Sequence, residues 1–543
     1  MRTWWKERVV YQIYPRSFQD SNGDGVGDIP GIISRLDELK ELGVGIIWLS
    51  PVYKSPDMDN GYDISDYRDI NPKFGTMADM ESLFAEAEKR DIKIVMDLVV
   101  NHTSDEHDWF IKSRDKDSPY RDYYIWEMGR NSGKPPNNWT SFFLGSAWEF
   151  DPKSGEYYLH LFDKKQPDLN YRNPKVIEEV KDIMRFWLDK GAAGFRCDVI
   201  NILFKTSYDD GEPQFVARGR EHFVSQEGTH KILKELRRDV LDDYDCFTVG
   251  ETTLVDIDDA VLFCDPERKE LDMIFYFDHL EVDRRVASYV PKKFKANKLQ
   301  KILTKWQVGL DWNAVYLENH DQPRIVSHYG NDGEFWERSS KLLAVLLLTL
   351  RGTPFIYQGQ EIGMTNFDFT QISELNDVAT INVNKLLRKF LVPQSLRWKL
   401  LKSASRDNAR TPMQWSSEPG AGFTKGTPWL GINKNHTQIN HQEQKARADS
   451  ILSFYKNMIA LRASNETLKY GEFSPEFTNK QVVSYTRTTA GDEQFAILLN
   501  LSDQPANAPF EGSLMGEVVV TNVNRTAYDG TLSPWEAVVL KVW

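Results

Sequence analysis

The sequence predicts an α/β fold in which eight strand–helix units close into a (β/α)8 barrel, interrupted by a small inserted domain and followed by an antiparallel β-domain. Three observations lead to this prediction. Short, nearly continuous apolar runs alternate with amphipathic stretches, there are eight such runs, and the pattern changes near the end of the chain. Strands of a parallel barrel sheet are buried on both faces, which explains why the runs do not alternate between polar and apolar residues.

The predicted elements follow one another in a regular order. The strand-like runs lie at 9–15, 45–51, 93–101, 194–200, 246–252, 273–279, 314–320 and 354–360. The amphipathic stretches that predict helices between them include 31–42, 76–90, 175–190, 229–243 and 335–350. Alternation of this kind predicts parallel strands joined by helices, and eight units suggest closure into a barrel.

Two long segments interrupt this alternation. Residues 102–173 are rich in Trp, Tyr, Pro, Asn and Asp, and a connection of that length predicts a functional insertion, here a domain over the barrel mouth. Residues 365–415 form a second insertion with a helical pattern. We therefore predict a first barrel part over 1–101, a second over 174–471, and a C-terminal β-domain over 472–543.

Composition narrows the class of partner and the compartment. The chain has 543 residues with 41% hydrophobic and 27% charged residues, and its net charge is −13. An acidic balance argues against nucleic acid or an anionic membrane as the partner. Three cysteines (Cys197, Cys246 and Cys264) without C-x-x-C spacing, and an N-terminus without a signal-peptide pattern, predict a cytoplasmic protein. The sequence leaves the oligomeric state open.

Three acidic residues stand at predicted strand ends. Asp198 lies in GFRCDVIN, Glu251 in FTVGETT and Asp321 in LENHDQPR. Two carboxyl groups at one sugar carbon can cleave a glycosidic bond, one as nucleophile and one as acid, and a third can hold the distorted sugar. The C-terminal mouth of a barrel is where active sites are built, so a carbohydrate-cleaving site is predicted there.

Six motifs in order make the chain resemble the α-amylase family of glycoside hydrolases, and within it the oligo-1,6-glucosidase and α-glucosidase branch. They are DLVVNH (97–102), QPDLN (166–170), GFRCDVIN (194–201), VGET (249–252), ENHD (318–321) and RTPMQW (410–415). The resemblance covers nearly the whole chain. It implies a small oligosaccharide substrate and chemistry that needs no cofactor.

The resemblance also implies roles for the acidic residues. Asp198 is expected to be the nucleophile, kept ionised by Arg196 on the same face of its strand. Glu251 is expected to be the general acid/base, with neighbouring carboxylates and a closed pocket favouring its protonated form. Asp321 is expected to stabilise the transition state. The family retains anomeric configuration, which implies a covalent glucosyl intermediate and carboxyl groups roughly 5–5.5 Å apart.

Five further residues match the wall of the glucose-binding subsite in this family. His102 and His320 correspond to its paired histidines, whose imidazoles donate to sugar hydroxyls. Asp59 and Asp63 in DNGYDI flank Tyr62, which is expected to stack on the pyranose ring.

Other matches imply a pocket closed at one end. Arg410 in RTPMQW matches the arginine that pairs with an acidic residue such as Asp59 to grip the non-reducing end, which predicts exo action. Phe143, Phe162 and Gln166, in or beside the inserted domain, match residues that line the pocket. For the two aromatic residues, ordinary packing is the alternative.

One acidic loop predicts a structural divalent ion, Ca2+ or Mg2+. The spacing would direct a set of oxygen ligands at one cation: Asp20, Asn22, Asp24, the Val26 carbonyl and Asp28. The twelfth position is Gly31 rather than Glu, so the loop is no EF-hand. A turn held by Asx hydrogen bonds explains the same spacing.

Linkage preference depends on a single position. Val199 follows the expected nucleophile, and in this family Val there accompanies α-1,6 preference whereas Ala or Thr accompanies α-1,4 preference. The sequence therefore predicts an isomaltose-type exo-α-glucosidase. The alternatives are a trehalose-6-phosphate hydrolase, with Arg284, Arg285 and Lys292 as candidates for phosphate binding, an α-1,4 or sucrose-active glucosidase, an isomerase, and a catalytically silent relative.

Overall fold

Eight parallel strands form the centre of the protein in the computed structural model, which describes residues 3–130, 133–214, 216–285, 289–489, 493–509 and 516–542. In chain order the strands are β1 (Val10–Ile13), β2 (Ile46–Leu49), β3 (Lys93–Leu98), β4 (Gly194–Cys197), β5 (Phe247–Glu251), β6 (Met273–Phe275), β7 (Ala314–Val315) and β8 (Thr353–Tyr357). Each falls within, or within one residue of, a strand-like run of the sequence, which confirms the predicted fold class.

The strands form a nearly closed ring. Their order in the sheet is β6-β5-β4-β3-β2-β1-β8-β7, and every neighbouring pair is parallel. Among the described residues no ladder hydrogen bonds join β6 to β7, so the barrel has one seam. Large side chains fill its interior, as in a packed barrel core, and include Trp48, Phe247, Phe275, Tyr316 and Phe355.

Helices cover the outside of the barrel. The longer ones between strands are Ile29–Ser34, Leu36–Leu42, Met77–Glu88, Pro174–Asp189, Glu227–Asp239, Ile257–Cys264, Ala296–Gly309 and Trp336–Thr349, and Ile451–Ser464 follows the last strand. Local chemistry sets several starts: Thr76 and Asp79 form a capping box, and Asn173 caps a helix that begins with Pro174. The single helix predicted over 31–42 is instead two helices that meet at Arg35.

The segment between β3 and the helix at Pro174 carries a small antiparallel sheet of its own. Its strands are Trp126–Glu127, Glu156–Leu159 and Trp148–Asp151, in that spatial order. A buried ion pair between Lys205 Nζ and Asp168 Oδ2 (2.7 Å) joins this insertion to the loop after β4. Asn101 contacts both partners, so three chain segments meet at the barrel mouth.

Two further units follow β8. Helices Val378–Lys389 and Gln394–Ala404 form a hairpin within the second insertion. The C-terminal sheet is antiparallel, in the spatial order Glu472–Pro475, Val482–Thr488, Gln494–Asn500, Ala537–Val542 and Glu517–Thr521. Within the described ranges, no helix has the length and apolar character needed to span a bilayer.

Candidate active site

One buried arginine joins the carboxylates at the barrel mouth. Arg196 Nη1 donates to Asp198 Oδ1 (2.5 Å) and to Asp97 Oδ1 (2.9 Å), and Nη2 donates to Glu251 Oε2. The ladder register pairs Asp97 with Arg196, which sets the two side chains beside each other. Asp198 contacts Nη1 and Glu251 contacts Nη2 of the same planar guanidinium, so the two carboxylates are held close together.

Aromatic side chains fix the position of this arginine. The Arg196 guanidinium lies 5.1 Å from the Trp48 ring and 5.7 Å from the Tyr62 ring. Trp48 Nε1 and the Tyr62 hydroxyl also donate to Asp97 Oδ2, at 3.1 and 3.0 Å. Asp97 therefore accepts hydrogen bonds from three side chains, and it helps to orient the Arg196 guanidinium.

Asp321 lies within a cationic clamp. Its Oδ1 accepts from Arg410 Nη2 (2.6 Å) and from Arg406 Nη1 (3.2 Å). Burial by itself would raise the pKa of Asp321, but the Arg406 and Arg410 guanidiniums hold it well below its ordinary value. The side chain is still 31% exposed, more than those of Asp198 (10%) and Glu251 (15%), so all three acids stay open to a ligand.

The predicted pairing of Arg410 with Asp59 is wrong. Arg406 holds Asp59, with Nη2 3.4 Å from Oδ1, and the same guanidinium contacts Asp321 and Asp377. Arg410 reaches Asp321 instead, because it lies one helical turn further along the Asp407–Arg410 helix and its Nε donates to the His320 carbonyl. Burial raises the pKa of Asp59 to about 7, although Arg406 opposes the rise.

The two predicted histidines lie at the same mouth, and both are buried. Burial lowers the pKa of His102, and it lowers that of His320 to about 3, so both rings are neutral near pH 7. Gln12 Nε2 lies 2.8 Å from His320 Nδ1, which leaves the ring proton on Nε2. That Nε2 and Arg410 Nη1 are buried donors without a hydrogen bond in the described structure, and Nε2 lies 3.5 Å from Asp321 Oδ2.

Tyr62 and Asp63 lie close together in the chain but differ in position. The Tyr62 ring stacks on His320 at 5.2 Å, with the planes 5° apart. Asp63 is fully buried, and its carboxylate accepts from Ser55 Oγ, Met58 N and Asp59 N. The expectation that Asp63 forms part of the subsite wall is therefore corrected: its acceptor sites are occupied by its own loop.

The predicted residues of the inserted domain contact this cluster. Gln166 Nε2 is 3.2 Å from Asp59 Oδ2 and 3.3 Å from His102 Nε2. The Phe162 ring lies 5.1 Å from the His102 ring, and the Phe143 ring lies 5.3 Å from the Arg406 guanidinium. The structure thus brings these residues together with the acidic cluster.

A cavity of about 940 Å3 opens beside Glu251. Of the predicted residues, Phe162, Val199 and Glu251 line it, and Arg220 contributes its one arginine. Val199 has a left-handed backbone (φ 37°, ψ 41°), which is strained for a β-branched residue and is typical of functional sites. This fixes the Val199 side chain in the wall next to the Asp198 position.

The arginines expected to bind a phosphate differ in availability. Arg284 is held by His328, with Nε 3.1 Å from Nε2, and lies 3.7 Å from Asp283. The side chain of Arg285 lies outside the described structure. Arg220, which was not predicted, makes no ion pair with any described residue and lines the cavity.

The acidic loop after β1 is organised by its own backbone. Asp20 Oδ1 accepts from the amides of Asn22 and Gly23, Asn22 Oδ1 from Asp24 N, and Asp24 Oδ1 from Val26 N. Asp28 accepts from Ser21 and caps the next helix. Across the described ranges, no three His, Cys, Asp or Glu side chains converge well enough to bind a metal. The predicted ion therefore stays a prediction.

Sequence reasoning missed two important residues, and each left a signal. Arg406 precedes Arg410 by four residues, a spacing that puts both on one helical face toward Asp321. Asp97 begins the DLVVNH motif and lies near the C-terminal end of a buried strand. A charged side chain that is buried in this way needs a partner.

Comparison with known proteins agrees with this fold and site. Residues 12–471 match the family model described as the α-amylase catalytic domain. The chain is 49% identical over 560 residues to an oligo-1,6-glucosidase of Parageobacillus thermoglucosidasius, covering 100% of this chain and 99% of that one. It is 42% identical over 560 residues to a trehalose-6-phosphate hydrolase of Bacillus subtilis, covering 99% and 98%.

A solved structure agrees as well. The isomaltulose synthase of Klebsiella sp. LX3 superimposes with a TM-score of 0.96 at 42% identity, and each chain is covered completely. The chain therefore belongs to the α-amylase family of glycoside hydrolases.

Proposed function

We propose that the protein is a retaining, exo-acting α-glucosidase that releases glucose from the non-reducing ends of short α-1,6-linked gluco-oligosaccharides. The observation that carries this proposal is the Arg196 guanidinium, which holds Asp198 and Glu251 side by side at the ends of adjacent strands. Closely spaced carboxyl groups suit a double displacement, in which one group is the nucleophile.

In the first step, a carboxylate oxygen of Asp198 attacks the anomeric carbon and the glycosidic C–O bond breaks. Glu251 gives its proton to the departing oxygen. In the second step, Glu251 takes a proton from water, which attacks the same carbon and releases Asp198. Glucose then leaves in the α configuration, after two inversions.

The contact between Arg196 and Glu251 must change before Glu251 can act as the proton donor. Glu251 lies in an ion pair with Arg196, a contact that the expectation from neighbouring carboxylates did not include. We infer that the glycosidic oxygen draws Glu251 away from Arg196. Asp198 keeps its contact with the arginine and acts as the nucleophile.

Unpaired donors support glucose as the group that is held. In the described structure Arg410 Nη1 has no hydrogen-bond partner, and His320 Nε2 has only a long contact of 3.5 Å with Asp321 Oδ2, whereas buried donors normally have an acceptor. Sugar hydroxyls supply one. We infer that the cluster of Arg406 with Asp59, Asp321 and Asp377 closes the pocket at this end, as removal of one terminal glucose at a time requires.

Linkage preference rests on Val199 and on the relatives. The branched side chain beside the leaving group restricts the approach of a secondary 4-oxygen more than that of a flexible 6-oxygen. The oligo-1,6-glucosidase relative is more similar to this chain than the trehalose-6-phosphate hydrolase relative, at 49% against 42% identity. Both observations favour α-1,6 linkages.

A trehalose-6-phosphate hydrolase is the second candidate, and one observation favours it. Arg220 is a guanidinium without an ion-pair partner in the described structure, and it lines the cavity on the Glu251 side, where a phosphorylated leaving group would lie. Transfer of the glucosyl group to another sugar would use the same intermediate, as the likeness to an isomaltulose synthase suggests.

The test compares initial rates on isomaltose, maltose, sucrose and trehalose 6-phosphate, with Asp198→Asn as the blank. We expect isomaltose to give the highest kcat/KM and the blank to lose activity by roughly 10^4-fold or more. NMR of the first product should detect α-glucose. Full activity in the blank, or β-glucose as the first product, would refute the mechanism, whereas faster cleavage of another sugar would refute only the linkage.

The proposal also includes a structural divalent ion and a cytoplasmic location. The loop of Asp20, Asn22, Asp24 and Asp28 offers only oxygen donors, which suits a hard divalent ion that stabilises the loop and takes no part in the chemistry. A cytoplasmic location is supported by the three cysteines, all of which are free thiols.

A further inference from the structure

The helical hairpin after β8 has an unusual charge. Between Asp377 and Asp407 the sequence contains no acidic residue, although the whole chain has a net charge of −13. We call residues 378–405 the basic hairpin. Its cations are Lys385, Arg388, Lys389, Arg397, Lys399 and Lys402.

Most of these cations are not neutralised by the fold. Lys402 pairs with Asp368, which is 87% exposed. The other five make no ion pair with any residue in the described part of the chain, and four of them, all but Arg397, are exposed. A concentrated positive surface therefore projects from an acidic protein.

The tip of the basic hairpin is apolar and open to solvent. Leu391 is 88% exposed and Phe390 is 67% exposed, and Leu396 at the start of the second helix is 48% exposed. Leu391 also has a left-handed backbone (φ 56°), which turns the chain sharply between the helices. Adjacent large apolar side chains at this exposure indicate a contact that the fold itself does not supply.

A cavity of about 690 Å3 lies behind the tip. Arg388 from the first helix and Arg397 and Trp398 from the second line it, and no carboxylate does. Asn384, which is 9% exposed, also lines it, and its side-chain oxygen has no partner within the described structure. The cavity thus offers two guanidinium groups and an indole ring directly beside the apolar tip.

The tip lies far from the catalytic pocket. Asp377 caps the first helix and pairs with Arg406, so this end of the hairpin lies against the pocket. The helix runs for 12 residues to Lys389, a rise of about 18 Å, before the tip begins. A surface that covers the tip leaves the pocket mouth free.

We propose that the basic hairpin docks the protein on an anionic lipid surface. Phe390, Leu391 and Leu396 enter the interface, and the cations contact the headgroups, with the cavity of Arg388 and Arg397 receiving a lipid phosphate. Apolar side chains flanked by four to eight Lys or Arg residues are the usual means of peripheral membrane attachment.

The net charge of the chain does not prevent this docking. At physiological ionic strength the screening length is about 8 Å, so acidic residues on the far side of the barrel have little effect at the tip. The local charge decides the attraction.

The test is flotation of the purified protein with vesicles of phosphatidylcholine alone and of phosphatidylcholine mixed with phosphatidylglycerol. We expect binding only to the mixed vesicles, weakening as salt is added. The triple variant Lys385→Gln, Arg388→Gln, Lys389→Gln and the double variant Phe390→Ser, Leu391→Ser should each lower the partition coefficient by at least about tenfold.

Matched controls lie on the helix Ala296–Gly309, where Lys298, Lys301 and Val308 are also exposed. Lys298→Gln with Lys301→Gln, and Val308→Ser, should leave vesicle binding unchanged, and all variants should hydrolyse isomaltose at the wild-type rate. Absence of binding to mixed vesicles, or equal loss in the control variants, would overturn the proposal. So would a change of oligomeric state in the hairpin variants without vesicle binding, because the partner would then be a second copy of the chain.

Discussion

At the scale of single residues, Arg406 has the most consequential contacts of the unpredicted side chains. It is shared by Asp59, Asp321 and Asp377. We expect Arg406→Ala to lower kcat/KM on isomaltose by about 10^2-fold or more, because the buried Asp59 and Asp377 and the partly exposed Asp321 lose their common cation. Steady-state kinetics would measure the effect.

Arg406→Lys is the matched control for charge. A lysine keeps the positive charge but cannot contact three carboxylates with one planar group. We expect it to recover only part of the lost activity. If the alanine variant kept wild-type kinetics, the arginine would have no part in holding the terminal glucose.

Val199 allows a second residue-scale prediction. Val199→Thr keeps the shape and the strained backbone but replaces a methyl group by a hydroxyl group. We expect the ratio of kcat/KM on isomaltose to that on maltose to fall by about tenfold, which is the size of effect that one group in a pocket wall has on specificity. An unchanged ratio would show that linkage preference is set elsewhere in the cavity.

The sequence predicted which side chains would lie together where a motif fixes them to a strand end. Asp198, Glu251 and Arg196 meet because adjacent parallel strands end at one edge. It did not predict the partners of Arg410 and Asp63, which depend on how a loop and a short helix turn in space. Pairing across more than 300 residues of sequence, as between Asp59 and Arg406, leaves no local pattern to read.

At the scale of elements, the strands were easier to predict than the connections. A buried parallel strand needs a continuous apolar run, and each of the eight is visible as one. The break at Arg35 was not visible, because both helices continue one amphipathic pattern with Leu36, Leu39 and Leu42 buried. The helical content of 365–415 was predicted, but not its division into a hairpin of two helices and the short helix Asp407–Arg410.

The loop after β1 allows a prediction at this scale. If a divalent ion binds there, a chelator should lower the Tm of the wild-type protein, and added Ca2+ should restore it, because a ligand that binds only the folded state stabilises it. Asp24→Ala should have a lower Tm that the chelator does not change. Equal melting curves with and without chelator would mean that the Asx hydrogen bonds alone hold the loop.

At the scale of the whole molecule, buried acids make stability depend on pH. Glu361 is 2% exposed, accepts a hydrogen bond from the Tyr11 hydroxyl, and has a second oxygen without a partner in the described structure. Burial raises its pKa from 4.5 to about 7. Its contribution to stability is therefore complete below pH 4.5 and is lost as the pH rises to about 7.

Glu361→Gln removes this dependence. Between pH 4.5 and 7 the stability of the variant should rise relative to that of the wild-type protein, by up to about 3 kcal/mol, and stay constant above pH 7. Urea denaturation at a series of pH values would measure the difference. A constant difference across this range would mean that Glu361 titrates normally in the folded protein.

The seam between β6 and β7 gives the barrel the mechanics of a split ring. Ladder hydrogen bonds join seven of the eight pairs of neighbouring strands. In the described structure they do not join β6 to β7. A ring of this kind opens at its one unbonded joint when it is thermally excited, and the strands opposite act as the hinge. Deuterium from solvent should therefore enter the amides of Met273–Phe275 and Ala314–Val315 well before those of β1, β2 and β3.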